Sequence, residues 1–341
     1  MNPPPRGPPV SSDSSPPAPT PALGSPGGLR DLLTRRSRVR ATLRELFDSR
    51  GFVEVDTPVL SAEVLPEAHI DPIPVAVDGP THPVHWLQAS PEALMKRLLS
   101  AGSGAIYQFA RSFRAGERGP RHDVEFVLLE WYAPGATLDT TARLLESLCA
   151  ITLGTSGIER IDCSQAFTDH AGVDLLTAGI NDWRAAGQRL GVAAAHGHAD
   201  SIDSWFELVL SEVVSPRLGR GRPTMLEAWP ASQAAFARLD PADARCARRF
   251  ELFVEGVELA NGWEEETGRR PLAERIAVAN AVRAADGRPV LPVPQKLLAA
   301  HGPSMPQGVG AALGFDRLVM LATGADTIDA ARPFGSDSDR P

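Results

Sequence analysis

At 341 residues and 43% hydrophobic content, the chain can bury a large core, which excludes global disorder. Lys and Arg total 34 against 42 Asp and Glu, a formal charge of −8, so general polyanion binding, which needs massed cations, is excluded as well. No apolar run is long enough to cross a bilayer, the N-terminus has no apolar leader, and Cys149, Cys163 and Cys246 fall in no metal-ligand spacing, so a cytoplasmic protein with reduced thiols is expected.

Residues 1–28 are dense in Pro, Ser, Gly and Ala without apolar period and are expected to form a disordered tail. Order begins with the stripe Leu29, Leu32, Leu33, Val39, Leu43, Leu46 and Phe47, which predicts a helix ended by Gly51. Phe52–Val55 predicts a strand stopped at Pro58. Leu94, Met95, Leu98 and Leu99 predict a helix with Ser90 as N-cap and Pro91 at its first position. Two strands follow, Ala105–Phe113 and Glu125–Tyr132, joined by a polar loop holding Gly116, Gly119 and Pro120. Residues 138–245 read as mostly helical and carry no evident chemistry. Phe250–Val254 and Val257–Ala260 flank Glu255-Gly256, a hairpin signal. Gly308–Leu313 predicts a glycine-rich strand leading into a helix, Phe315–Ala322, with Gly324 beyond its end. The expected fold class is α+β: one mixed, mostly antiparallel sheet flanked by helices, spanning residues 29–325, with a flexible C-terminal tail from 326 to 341.

Three segments carry chemistry. In the first, Arg111 through Tyr132, strand alternation places Phe126, Leu128, Glu130 and Tyr132 on one face. A carboxylate and a phenol buried there need a cationic partner, which suits a ligand ammonium. Arg114 ends the preceding strand beside that face. The cluster Arg111, Arg114, Arg118 and Arg121, with His122, suits a small phosphorylated ligand. In the second, Glu258 lies on a strand and Glu265 follows an expected turn at Gly262; the two carboxylates are candidates to hold Mg2+ against phosphates. The third, Gly308 to Val319, combines small residues that admit a nucleotide to the backbone with Arg317 at a helix start. Each of the three alone also fits solvated surface charge or tight packing. Only Lys96 and Lys296 are lysines, a bias read as genomic composition.

In order and character the segments resemble the three motifs of class II aminoacyl-tRNA synthetases: Phe52–Pro58 motif 1, Arg114–Tyr132 motif 2 and Gly310–Leu318 motif 3. Ser90-Pro-Glu-Ala-Leu-Met-Lys, Arg-Ser-Phe-Arg114, Leu-Glu-Trp-Tyr132, Pro-Ala-Ser-Gln233, Gly-Val-Glu258-Leu-Ala-Asn-Gly and Leu-Gly-Phe-Asp-Arg317 resemble the class II lysyl-tRNA synthetases, and more closely their short paralogue, the elongation factor P lysine ligase family. The resemblance implies ATP-dependent activation of lysine or (R)-β-lysine as an aminoacyl-adenylate, with ATP and Mg2+. Arg114 would be the catalytic residue, stabilising charge on the carboxylate and α-phosphate. It implies further ATP contacts from Ala115, Gly116, Glu117, His122, Asp123, Phe126, Glu258, Leu259, Gly314 and Arg317. Ser90, Pro91, Glu92, Glu130, Tyr132 and Glu265 would bind the amino acid, and Glu258 and Glu265 the metal. This chain departs from the family in reading Arg114-Ala-Gly-Glu117 for Arg-Asn-Glu and His122-Asp-Val-Glu-Phe126 for His-Asn-Pro-Glu-Phe, which puts a negative charge at Asp123 close to ATP.

No anticodon-binding domain is expected within the first 28 residues. The expected acceptor is therefore a lysine of elongation factor P rather than tRNA, and the protein is expected to be a homodimer. The alternatives are a truncated lysyl-tRNA synthetase-like enzyme charging tRNA or another acceptor, an asparagine-synthetase-like ligase, and a non-catalytic amino-acid and ATP-binding regulator.

Overall fold

The computed structural model describes residues 28–77, 79, 84–193 and 201–336. The N-terminal segment expected to be disordered lies outside the described residues, apart from Gly28. In chain order the elements are α1 (Leu29–Asp48), β1 (Val53–Glu54), β2 (Leu60–Ser61), β3 (Ile73–Val75), β4 (His85–Leu87), α2 (Glu92–Ser100), β5 (Ile106–Phe113), β6 (Glu125–Pro134), α3 (Leu138–Leu153), β7 (Glu159–Asp162), α4 (Cys163–Ala171), α5 (Ile180–Leu190), α6 (Ile202–Val209), β8 (Thr224–Pro230), β9 (Cys246–Val254), β10 (Val257–Glu264), α7 (Arg269–Ala285), α8 (Gln295–Ala300), β11 (Gly308–Gly314) and α9 (Phe315–Thr323).

The main sheet has eight strands in the order β1-β5-β6-β11-β10-β9-β8-β7; the pairs β1–β5 and β7–β8 are parallel and all others antiparallel. A small second sheet orders β2-β4-β3. One face of the main sheet is covered by α1, α3 and α9, whose apolar stripes meet Leu129, Trp131, Leu252, Val309 and Leu313 in a continuous core. The opposite face of β6, β11 and β10 is the floor of a cleft.

The region 138–245 holds α3 to α6, as periodicity predicts, but also β7 and β8, which extend the sheet at its far edge. Here Phe167, Trp183 and Phe206 of α4 to α6 pack with Trp229 of β8 into a separate core. The Glu255-Gly256 hairpin forms as predicted, with φ of 50° and 71° at the two turn residues, the left-handed pair that a two-residue hairpin requires.

Two expectations fail. Gly262 is not a turn; β10 continues through it to Glu264, and Gly262 pairs with Ala311 on one side and Phe250 on the other, close enough that a Cβ would strike both. Second, residues 326–336 of the expected flexible tail are packed: Ile328 is 2% exposed and joins the main core with Ala331, and Arg332 is 9% exposed, while 337–341 lie outside the described residues.

Candidate active site

The cleft encloses about 270 Å³ and draws its floor from three adjacent strands. On β6 the alternation delivers Phe126, Leu128, Glu130 and Tyr132 to it, as predicted. On β11 the facing positions are Gly310, Ala312 and Gly314, which pair across the ladder with Tyr132, Glu130 and Leu128, so small residues stand opposite large ones and keep the cleft open. On β10 the register shifts between Glu258 and Ala260. A bulge of this kind reverses strand phase, so that Glu258 before it and Asn261 and Trp263 after it all face the cleft.

The two ends of the cleft differ in chemistry. At one end lie Arg114, Arg121, His122, Glu258 and Arg317. Arg114 Cζ stands 5.0 Å from the centre of the Phe126 ring, a cation–π distance. Its Nε is buried with no hydrogen-bond partner among the described residues, a donor aimed at nothing the protein supplies. Arg317 donates to the Glu258 backbone carbonyl at 2.8 Å, to the Glu258 carboxylate at 3.3 Å, and to His122 Nε2 at 2.8 Å. A guanidinium has no acceptor, so the His122 ring is neutral at Nε2. Burial and the neighbouring Arg317 both lower its pKa, in agreement. Residues 114, 258 and 317 therefore share one cavity.

At the other end four carboxylates converge: Glu67, Glu92, Glu130 and Glu265. Ser90 donates to Glu130 at 2.8 Å while accepting from the backbone N–H of Glu92, and Tyr132 donates to the other Glu130 oxygen at 2.7 Å. The ammonium of Lys96, on α2, lies 2.6 Å from Glu92 and 2.7 Å from Glu265, and 5.7–6.0 Å from the rings of Phe236, Trp263 and Tyr132. Desolvation pushes Glu130 up to about 8 and Glu67 and Glu265 to about 7. Like charges nearby reinforce the shifts. Such a cluster is undersupplied with cations.

Several expected assignments change. Glu265 pairs with Lys96 and does not sit with Glu258: seven residues of extended strand rise about 23 Å, too far for one metal ion. The carboxylate near Glu258 is Glu251, on β9, buried at 7% exposure and paired with Arg249 at 2.6 Å. Its pKa is raised to about 8, by desolvation first and by Glu258 second. Among the described residues no group of three or more His, Cys, Asp or Glu is built to hold a metal alone. A pair of carboxylates is what Mg2+ uses when phosphates and water complete its shell, so Glu251 and Glu258 fit that ion.

The arginine cluster also divides. Arg111 pairs with Glu125 on the exposed edge and Arg118 pairs with Asp123 at 2.6 Å, leaving Arg114 and Arg121 on the cleft. Asp123 lines the cleft but is 3% exposed, and both Arg118 and Arg332 bind it, so its charge is neutralised within the protein rather than presented to a nucleotide. Glu117 lies 3.6 Å from Arg114. Ala115 and Gly116 form the turn, Gly116 at φ 76°, and their side of the loop does not line the cleft; nor does Pro91, which the helix α2 uses as its cap. Ser90, Glu92, Glu117, His122, Leu259 and Gly314 all do, whereas Glu265 does not itself line the cleft and lies against Lys96 beside Gly310.

Lys96, Glu67 and Glu251 were missed by sequence reasoning. Glu92 and Lys96 stand at i, i+4, a spacing that signals a helical ion pair, and Glu251 and Glu258 bracket a two-residue turn; Glu67 lies in a segment with no period to read.

The whole described chain matches a known family. The model of the class II tRNA synthetases (D, K and N) matches residues 27–338. Proteins named elongation factor P--(R)-beta-lysine ligase are similar throughout: that of Salmonella gallinarum is 38% identical over 308 residues, covering 89% of this chain and 95% of the relative, and those of Erwinia tasmaniensis and Klebsiella pneumoniae are each 37% identical with the same coverage. The eight-stranded sheet, the bipolar cleft on its open face and a match over residues 27–338 agree: the protein belongs to the class II tRNA synthetase family (D, K and N), alongside the elongation factor P (R)-β-lysine ligases.

Proposed function

We propose that this ligase activates lysine or (R)-β-lysine with ATP and transfers the acyl group to a lysine of elongation factor P. The observation that carries the substrate class is the charge of the cleft. At one end Glu67, Glu92 and Glu130 line the cleft with Glu265 against it beside Gly310 and Lys96 as the resident ammonium, and guanidinium groups gather at the other. A ligand with two ammonium groups and one carboxylate complements that arrangement, and a monoamine does not.

In the first step a carboxylate oxygen of the amino acid forms a bond to the α-phosphorus of ATP and pyrophosphate leaves. Arg114, with its unpartnered Nε, stabilises charge on the carboxylate and α-phosphate. Phe126 offers a face for adenine, and Arg317 and His122 face the outer phosphates. Glu258 and Glu251 would hold Mg2+, which supplies charge neutralisation to the phosphates when bound. In the second step the acceptor amine bonds to the acyl carbon and AMP departs, with the amine proton passing to solvent or the leaving phosphate. No covalent enzyme intermediate is required. Glu265 and Tyr132 would receive the side-chain ammonium, and Ser90, Glu92 and Glu130 the second one.

Incubation with ATP, (R)-β-lysine or lysine, and either elongation factor P or bulk tRNA tests the reading. A gain of one lysyl group in the intact mass of elongation factor P supports it. Acylated tRNA with unmodified elongation factor P would move the assignment to the tRNA alternative. No exchange of pyrophosphate into ATP with any amino acid would leave a binding protein. A homodimer through motif 1, residues 52–58, belongs to the same reading and is supported by the exposure of Val53 at 57%; a monomeric mass by light scattering would refute it. No described helix is long and apolar enough to cross a membrane.

A further inference from the structure

We propose that residues 326–336 act as a strap that sets the position of the phosphate-facing loop 114–124, and that Asp123 is its clasp, a positioning residue and not a ligand of ATP. The loop between β5 and β6 carries Glu117, Arg121 and His122 into the cleft, and inside it the backbone is tied by the Arg114 N–H to the Val124 carbonyl at its base and by the reciprocal pair Gly119–His122. Its outer side is fastened by the chain terminus. The backbone N–H of Ile328 donates to the carbonyl of Pro120 at 2.9 Å, Arg332 Nη1 donates to the carbonyl of Glu125 at 2.8 Å, and Arg332 Nη2 binds the Asp123 carboxylate. The backbone N–H of Ser336 donates to the same carboxylate at 2.9 Å. The other Asp123 oxygen accepts from Arg118 at 2.6 Å and from the N–H of Val124 at 2.7 Å. Both oxygens of a nearly inaccessible carboxylate are thus satisfied by two guanidinium groups and two backbone donors, and none of that capacity points at a nucleotide.

The strap is anchored independently of the loop, because Ile328 and Ala331 are buried against the main core. It therefore offers the loop a fixed frame. His122 follows directly on Arg121 and precedes Asp123, so the clasp sets where the ring meets Arg317. An uncharged residue at position 123 would have no need of Arg332, whereas an aspartate buried beside a triphosphate without that guanidinium would repel it. The aspartate and the arginine are accordingly a matched pair, 209 residues apart in the chain.

The proposal rests on the cleft being an ATP site, and binding measurements separate the two. Titration calorimetry would give the Kd of MgATP and, separately, of lysine for the wild type, Arg332→Leu, Asp123→Asn and the double variant. Arg332→Leu is expected to weaken MgATP on the order of tenfold, as loss of a charge-assisted buried contact predicts, with lysine affinity little changed. Asp123→Asn with Arg332→Leu should recover most of the loss, since a neutral amide leaves no unpaired charge. Should Arg332→Leu fail to fold, the double variant carries the test: a folded protein with near wild-type MgATP affinity supports the clasp, and one as defective as the single variant overturns it. Unchanged MgATP affinity in Arg332→Leu overturns it too. A wild type that binds no MgATP would defeat the assignment of the cleft instead.

Discussion

Replacing Lys96 by methionine removes the cation paired with Glu92 and Glu265 at the carboxylate end of the cleft while keeping a stem of similar length against Phe236 and Trp263. Lys96 is 2% exposed and sits 2.6 Å and 2.7 Å from two carboxylates, so the variant strands Glu92 and Glu265 beside Glu130 and Glu67. Breaking a buried ion pair by removing one partner costs about 3–5 kcal/mol, a large part of the roughly 5–15 kcal/mol that holds a domain folded. The cost depends on pH. Glu265 already has its pKa raised to about 7 with Lys96 pulling it down, and loss of the lysine raises it further. A carboxyl whose folded pKa exceeds its unfolded value favours folding while protonated and loses that contribution as pH rises through the folded pKa. The deficit of Lys96→Met should thus be small near pH 5 and largest above pH 8. Urea unfolding followed by tryptophan fluorescence at pH 5, 7 and 8.5 measures it. Saturating lysine should stabilise the variant more than the wild type by returning an ammonium to the gap. Equal midpoints for the two proteins at pH 8.5 would refute the electrostatic account of the pocket.

Arg114→Ala should lower pyrophosphate exchange by about 10²–10³-fold, the loss seen when one preorganised donor is removed, with an unchanged thermal melt; near-normal exchange would remove Arg114 from the chemistry. Gly310→Val should raise the KM for lysine steeply while sparing MgATP binding, because even a Cβ at this position collides with the Glu265 carboxylate and the Tyr132 ring; parallel loss of both ligands would argue against separate ends of the cleft. The KM for lysine should fall between pH 6 and pH 8.5 as Glu67, Glu265 and Glu130, with pKa values of about 7, 7 and 8, take on the charge that an ammonium needs. A flat profile would mean that these groups are not its partners. Glu251→Gln should raise the Mg2+ requirement of exchange with little effect on lysine, whereas Glu265→Gln should do the reverse; the opposite pattern would return the metal to Glu265.

What the sequence revealed divides along the range of the interactions. The face shared by Phe126, Glu130 and Tyr132 follows from strand alternation alone, and the left-handed turn at Glu255-Gly256 from local backbone preference. The bulge at Leu259 leaves no comparable mark, and without it Glu258 and Trp263 could not be placed on one face. Gly262 was misread because glycine serves both turns and close strand contacts, and only the presence of Ala311 and Phe250 on either side decides between them. The scarcity of lysine reads as composition, and the one sequence signal for Lys96 is its i, i+4 spacing from Glu92, that of a helical ion pair. The packing of the C-terminal segment was illegible because its partners, Pro120, Asp123 and Glu125, lie some two hundred positions earlier.

The placement of β11 has a consequence for biosynthesis. This strand, residues 308–314, is the last of the eight to leave the ribosome, yet it is inserted between β6 and β10, which are both made before it. Until it arrives, those two strands present open edges and a slot in the middle of the sheet, and the cleft lacks the middle strand of its floor. Closure across such a span is slow and leaves the nascent chain prone to edge-to-edge association. A chain stopped short of residue 308 would therefore be inert and aggregation-prone, so no product that lacks β11 could consume ATP.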